Sequence, residues 1–378
     1  MSSKVNRTAI KSIGIIVPAN LRGGPEKASA ILAASLAEEG HHVSIFVPLL
    51  PWYFYFVTLN KNPLRWLRYA IPNLNRWLHN RKFAFSDLIE EGEVKGRIKV
   101  NFVARYASKS QLKNLDFLFL DSIAQVSDYR CKFSQQRQIY ILWHPEEHNH
   151  GHAERFKELR KNFSGKIIVA SPVIAKEVSD HVIDPPLVPA PISPNLWEQR
   201  EIFDAKAPRQ DILLLWKDNE QGKAGANIVL TLQALRPQTS VTVWCWGLGA
   251  RGGALAILPG AAIVENFSES ELRDLYLGHS LLIFPSSFEG FGMPPIEALS
   301  CGCIPVLRPE VGAAELYAKD GENTIFMDND LAALAGRLSD VLNDDELLHT
   351  MRRATITSVL AFDPTTYGPR MLKAAGVT

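Results

Sequence analysis

The chain is poor in cysteine and has no excess of either charge. Its four cysteines, Cys131, Cys245, Cys301 and Cys303, form no C-x-x-C pair. Cys301-Gly-Cys303 is too tight for an ordinary disulfide or for a metal pair, so the four read as small buried residues of a reducing compartment. The 41 Lys and Arg against 40 Asp and Glu leave a net charge of +1. Without a global basic excess, nucleic acid is not an expected partner. No clean membrane-spanning run is present: the nearest, 43–59, carries Pro48 and Pro51 and falls short of about 20 residues. The opening MSSKVNRTAIKS leads into a strand with no secretory signal, which places the expected location in the cytoplasm.

One local absence is larger than these. Between 40 and 86 there is no Asp or Glu in 47 residues, while six Lys or Arg and eleven aromatics occur. WYFYF at 52–56 is followed by Lys61, Arg65, Trp66, Arg68, Tyr69, Arg76, Trp77, Arg81 and Lys82. Aromatics mixed with basic side chains suit the headgroup zone of an anionic membrane, and 62–80 can form an amphipathic helix interrupted by Pro72. Docking through 49–82 would make the protein peripheral on the inner face of the plasma membrane. The plain alternative is an insertion packed on its own domain, with rings buried and charges solvated.

What the chain does have is alternation. Apolar strand patterns fall at 13–17, 43–47, 100–103, 117–120, 139–143 and 166–170, and again at 212–216, 241–246, 262–264, 281–284 and 304–307. Helical stretches lie between them, which predicts parallel doubly wound α/β sheets. Helices are expected at 24–39, 224–235, 269–278, 294–301, 330–342 and 344–359, with a last one after 367. The five prolines of 184–198, DPPLVPAPISPNLWE, resist regular structure and read as an interdomain connection.

The most informative stretch is LLIFPSSFEGFGMPPIEALSCGCIPVL, a strand, a glycine turn and a helix. Glu289 and Glu297 flank the turn. A proline at 294 or 295 suits a first helical position. The N–H groups of 291–293 would point out of the helix start with its positive dipole end behind them, making a phosphate site with a carboxylate on each side. Beside a phosphate, a carboxylate can bind only neutral hydroxyl-bearing groups, as a sugar joined to a nucleotide diphosphate provides. Glu in a helix first turn is also favoured without any ligand.

This stretch resembles the E-x7-E signature of family 4 glycosyltransferases, which have the GT-B fold: two Rossmann-like doubly wound domains facing a central cleft. The likeness covers most of 12–370 and is most specific over 262–320. It implies a retaining transfer from a nucleotide-diphosphate sugar to a saccharide or lipid-linked acceptor, without a metal or other cofactor. Bacterial surface polysaccharide or glycoconjugate synthesis is the implied setting. The implied domains are 1–190 for acceptor, with the insertion at about 49–86, 191–360 for donor, and 361–378 crossing back to the first. Carried over, Glu289 contacts the donor sugar, Glu297 the ribose, and the backbone of Gly290, Phe291, Gly292 and Met293 the sugar and phosphate. Phe267 joins the donor-binding set. Gly23-Gly24, between a strand and a helix, matches the family's glycine-rich loop against the diphosphate, with Gly24 and Glu26 as donors because Pro25 has no N–H; a plain strand–helix turn is the alternative. Lys217 and Lys223 stand near the family's Arg and Lys; the lysine at 217 lacks the forked donor geometry of arginine, and the spacing is six rather than five. His144 matches a histidine near the reacting sugar. His148, His150 and Glu147 are further acceptor-side candidates, and the run 144–152 also admits a metal reading.

Two other readings stay open. A binding protein with a degenerate cleft would explain the altered lysines. GLGARG at 247–252, with Glu265 eighteen residues on, matches the dinucleotide fingerprint of an NAD-dependent oxidoreductase. Pro259 leaves that helix short for a parallel crossover.

Overall fold

The computed structural model describes the chain apart from residues 1–8, 19–22, 49–82, 84, 90–93, 95, 104–105, 122–124, 126–128, 130–131, 144–152, 201, 218, 247–249, 266–267 and 378. Two compact units divide it: Met1–Pro191 with Pro364–Thr378, and Ile192–Asp363.

In the first unit the strands are β1 (Ser12–Ile16), β2 (His42–Pro48), β3 (Ile98–Val103), β4 (Phe117–Leu120), β5 (Gln138–Leu142) and β6 (Lys166–Val169). They form one parallel sheet in the order β3-β2-β1-β4-β5-β6. Ile15 pairs with Ile45 on one side and Phe119 on the other. All three are fully buried, as in a parallel sheet covered on both faces. Helix α1 (Gly24–Glu38) follows β1 and carries Pro25 in its first turn, where a missing N–H costs nothing. Its small-residue face lets the C-terminal helix, Tyr367–Ala375, approach closely. Ser35 Oγ donates to the Thr365 carbonyl and accepts from the Gly368 N–H, each at 2.9 Å. Short helices α2 (Lys109–Leu112), α3 (Ala153–Lys161) and α4 (Pro172–Glu177) also belong to this unit.

The second unit repeats the plan. Its strands β7 (Gln210–Lys217), β8 (Val241–Trp246), β9 (Ala262–Val264), β10 (His279–Ile283), β11 (Ile304–Leu307) and β12 (Ile325–Phe326) lie parallel in the order β12-β11-β10-β7-β8-β9. Its helices are α5 (Pro194–Gln199), α6 (Glu220–Leu235), α7 (Ala250–Ile257), α8 (Glu269–Leu277), α9 (Met293–Ser300), α10 (Leu331–Asn343) and α11 (Asp345–Ser358). Leu214, Trp216, Val243, Ile283 and Val306 from the sheet pack with Val229, Leu334 and Leu338 from the helices in one apolar core.

Two local expectations are corrected. The proline-rich stretch 184–198 is not irregular throughout, because Pro194 opens α5, a position where proline's fixed φ is already helical. Strand β12, two residues long, carried too little pattern to be seen in the sequence. Fold class is as expected: two six-stranded parallel sheets, each with flanking helices.

Candidate functional site

In the second sheet the chain runs outward from β7 through β8 to β9, then restarts at β10 on the other side of β7. Ligands in such sheets bind where strand order reverses, at the carboxyl ends of the two central strands. Lys217 ends β7, and the loop 284–292 follows β10. The loop returns Glu289 to Lys217: Nζ lies 2.7 Å from Glu289 Oε1. Ser286 Oγ donates to the same oxygen at 2.7 Å, and Lys217 Nζ also donates to Ser286 Oγ at 3.3 Å. The pair is about one quarter to one third exposed, 31% and 25%, so it is open to a ligand rather than sealed in the core. Gln221 Nε2 donates to Ser287 Oγ at 2.9 Å and ties α6 to the same loop.

The loop ends in a left-handed residue. Gly292, with φ +77°, is the N-cap of α9, and no side chain caps the helix. Pro294 and Pro295 have no N–H. The N–H groups of Phe291, Gly292 and Met293 donate to nothing among the described residues. Three successive free donors at a helix start make an anion-binding geometry. The turn is held from behind. Phe291 buries its ring edge-on to Phe362, with centroids 6.1 Å apart, and its carbonyl accepts from the Ala313 N–H at 2.8 Å. That contact needs Gly312, where φ is +57° and an added Cβ would stand 2.2 Å from the Phe291 oxygen. Nothing in the sequence marks Gly312 beyond its place after β11.

Glu297 is the fifth residue of α9 and 3% exposed. Tyr276 of α8 donates to its Oε2 at 3.2 Å. Burial, and then the neighbouring Glu297 carboxylate, hold the Tyr276 hydroxyl well above its ordinary pKa. Tyr317 is raised by burial and then by Glu289. Gly290 is buried and Met293 half-buried beside these groups. The structure therefore brings Lys217, Glu289 and the 291–293 turn together, with Glu297 set one helical turn into α9. Lys223 is placed differently: it sits on the exposed side of α6 with Nζ 2.8 Å from Glu220 Oε1.

In the first unit Gly23 is the N-cap of α1 and Gly24 its first residue. A Cβ on Gly23 would stand 2.4 Å from Glu26 Oε2, so the Glu26 carboxyl folds back over the helix start and also engages the Glu26 N–H. One of the two donors expected for phosphate is thus already used. Burial pushes Glu26 up to about 8, with Asp121 adding repulsion, which favours its neutral form. Asp121, at the end of β4, is pushed up to about 7 by burial against hydrogen bonds from Ser29 and Trp143. Neither carboxyl was singled out in the sequence, where Glu26 entered only through its N–H. His144, His148, His150, Glu147 and Phe267 lie outside the described residues, as do 247–249 of the glycine-rich 247–252 and the aromatic, basic segment 49–82. Helix α7, which follows that glycine run, is eight residues long. Among the described residues no helix is long and apolar enough to cross a membrane.

Residues 258–357 match the family model described as Glycosyl transferases group 1. Parts of the chain also align with curated relatives. A glycogen synthase of Chlorobium chlorochromatii (strain CaD3) is 37% identical over 86 residues, 21% of this chain and 18% of that protein. The O-antigen chain mannosyltransferase B of Escherichia coli is 32% identical over 77 residues, 20% of each. The chain thus spans about a fifth of the length of the curated relatives it matches. Similarity of fold extends further: Anabaena Alr3699/HepE in complex with UDP-glucose superposes with a TM-score of 0.68 at 13% identity, over 97% of this chain and 100% of that one. The chain therefore has the GT-B fold, and over 258–357 it is similar to the group 1 glycosyl transferases.

Proposed function

We propose that this protein is a retaining, family 4-like glycosyltransferase that moves a hexose from a nucleotide-diphosphate sugar to a saccharide or lipid-linked acceptor. The observation that carries it is the juxtaposition of an ammonium, a carboxylate and three N–H groups without an acceptor among the described residues at one switch point. The N–H groups of 291–293 and Lys217 stabilise the leaving diphosphate, where charge develops as the glycosidic bond breaks. Lys223, on its long stem, adds charge from α6. With one Glu289 oxygen held by Lys217 and Ser286, the other accepts from donor-sugar hydroxyls. Glu297, oriented by Tyr276, accepts from the ribose. By the family resemblance Phe267 and the Gly23-Gly24 turn are further candidates for donor binding, and His144 for the sugar's reacting face. The charge is met by protein groups, so the proposal includes no metal or other cofactor. The first unit takes the acceptor and the second the donor.

The setting we propose is bacterial surface polysaccharide or glycoconjugate synthesis in the cytoplasm, with 49–82 docking on the anionic inner face of the membrane. The name of the Escherichia coli relative, an O-antigen chain mannosyltransferase, supports that setting. The HepE complex supports a nucleotide-sugar donor class.

The test is thermal stabilisation by UDP-, GDP-, dTDP- and ADP-sugars, NAD and NADP without added metal, repeated with Glu289→Gln. A midpoint raised by one nucleotide sugar and lost in the variant supports the reading. A shift with NAD alone replaces it with an oxidoreductase. Donor binding without transfer or donor hydrolysis replaces it with a binding protein, a reading favoured by the occupied Lys217–Glu289 pair.

A further inference from the structure

The ammonium at the switch point of the second sheet is already shared. Lys217, the last residue of β7, donates to Glu289 Oε1 at 2.7 Å and to Ser286 Oγ at 3.3 Å. Ser286 is 1% exposed and donates to the same Glu289 oxygen at 2.7 Å, so the carboxylate is held from two sides. The Glu289 stem also lies along the turn: a Cβ added at Gly292 would stand 3.6 Å from Glu289 Cβ and 3.8 Å from its Cγ. The Glu289 side chain is therefore a neighbour of both the ammonium and the turn. Its charge reaches further, since the buried Tyr317 hydroxyl is raised first by burial and then by Glu289.

For anion affinity alone this is a poor arrangement. A carboxylate beside an anion repels it, and here it occupies the ammonium that the anion would use. A neutral amide at 289 would accept the same two hydrogen bonds without the charge. The carboxylate makes sense where two anions must be told apart, because specificity is a difference of affinities and is gained by weakening the wrong one. Glycosyl transfer supplies the two anions. It breaks the bond between the anomeric carbon and the diphosphate oxygen, and the bonding pair stays on that oxygen. The acceptor oxygen forms the new bond to the carbon and gives up its proton. A free nucleotide diphosphate then replaces the nucleotide-diphosphate sugar. Its terminal phosphate, with a second pKa of about 6, carries about one more negative charge at neutral pH.

Resting on the glycosyltransferase reading, we propose that Glu289 sets the preference of this site for sugar-capped over free diphosphates: its carboxylate tolerates the donor and repels the diphosphate that transfer leaves behind. The donor offers the carboxylate neutral hydroxyls, for which it is an acceptor. The product offers it only a more negative phosphate. Expelling the product matters because product release limits turnover in many enzymes. Removing the charge should move the two affinities in opposite directions. A residue that only shaped the turn would weaken both ligands together when replaced.

The test measures dissociation constants by isothermal titration of the whole chain at about pH 7.5 without added metal. The probes are UDP-glucose with UDP, GDP-mannose with GDP, dTDP-glucose with dTDP, and ADP-glucose with ADP. For the pair that binds, Glu289→Gln should tighten the free diphosphate by about tenfold or more and weaken the nucleotide sugar. Glu289→Asp keeps the charge on a shorter stem. Its affinity for the free diphosphate should stay within about threefold of wild type while the nucleotide sugar is weakened. Thermal midpoints identify a variant that has not folded, and Glu289→Ser then carries the comparison, since it also removes the charge. Affinity for the free diphosphate that is unchanged or weaker in folded Glu289→Gln, or equally tightened in Glu289→Asp, overturns this proposal and leaves the donor reading standing. Wild-type protein that binds no nucleotide sugar overturns the donor reading, and this proposal with it.

Discussion

The two units share one strand order and differ at the place where that order reverses. In the second, the crevice end carries an accessible ammonium–carboxylate–hydroxyl cluster beside backbone N–H groups that donate to nothing among the described residues. In the first, it carries two sealed acids, raised to about 8 and about 7, over a helix start already covered by one of them. A topology repeated twice has been given opposite electrostatics. An exposed cation beside N–H groups is suited to an anion, whereas the sealed acids of the first unit are spent on contacts within the fold. Fold alone would not have predicted this difference between the two units.

The sharpest way to break the comparison is to remove the cation. Lys217→Met should lower transfer by about a hundredfold or more, as for loss of one preorganised donor to a developing charge. Its thermal midpoint should hardly move, because a partly exposed ion pair contributes only about 0–1 kcal/mol. Steady-state kinetics beside a melting curve separates the two effects, and a loss of stability matching the loss of activity would count against the assignment.

Gly312→Ala tests whether the turn of the second unit is held from behind. The added Cβ would collide with the Phe291 oxygen, and the positive φ adds strain, for a cost of about 1–3 kcal/mol. The urea midpoint should fall, and donor affinity should fall with it.

The first unit should respond to pH instead. Glu26 and Asp121 have folded pKa values above the ordinary carboxylate range, so the folded state binds their protons more tightly than the unfolded state. Their contribution is favourable at low pH and is lost as pH rises from about 4 through about 8. Urea midpoints of the wild type should therefore fall between pH 5 and pH 9, and Glu26→Gln should flatten part of that slope. An identical slope in the variant would show that Glu26 is not the titrating group.

The smallest effect is expected at Lys223, whose ion pair with Glu220 is solvent-exposed. Lys223→Ala should change donor affinity by less than about tenfold and stability by about 0.5 kcal/mol or less. A loss equal to that of Lys217→Met would restore the two-lysine clamp.

Much of this was legible because α/β strands fully buried on both faces announce themselves as apolar runs. The expected strands at 117–120, 241–246, 262–264 and 304–307 coincide with β4, β8, β9 and β11. The turn at 289–293 was legible because glycine and proline constrain backbone directly. What escaped had no local signature. Gly312 matters only because another loop presses on it, and Asp121 is one acid among 40 Asp and Glu until burial and two donors single it out. Proline density misled at 194, because five prolines look alike in sequence while one of them starts a helix.

The Gly312 contact also constrains length. The Phe291 carbonyl meets the Ala313 N–H across a gap with no room for a single methyl group. The number of residues between the end of β11 and 313 therefore helps to set the geometry of the 291–293 turn. A loop grafted from another protein after Leu307 will keep the 291–293 turn in place only at constant length. One residue gained or lost would take the glycine out of register with the carbonyl and release the turn that presents the donors.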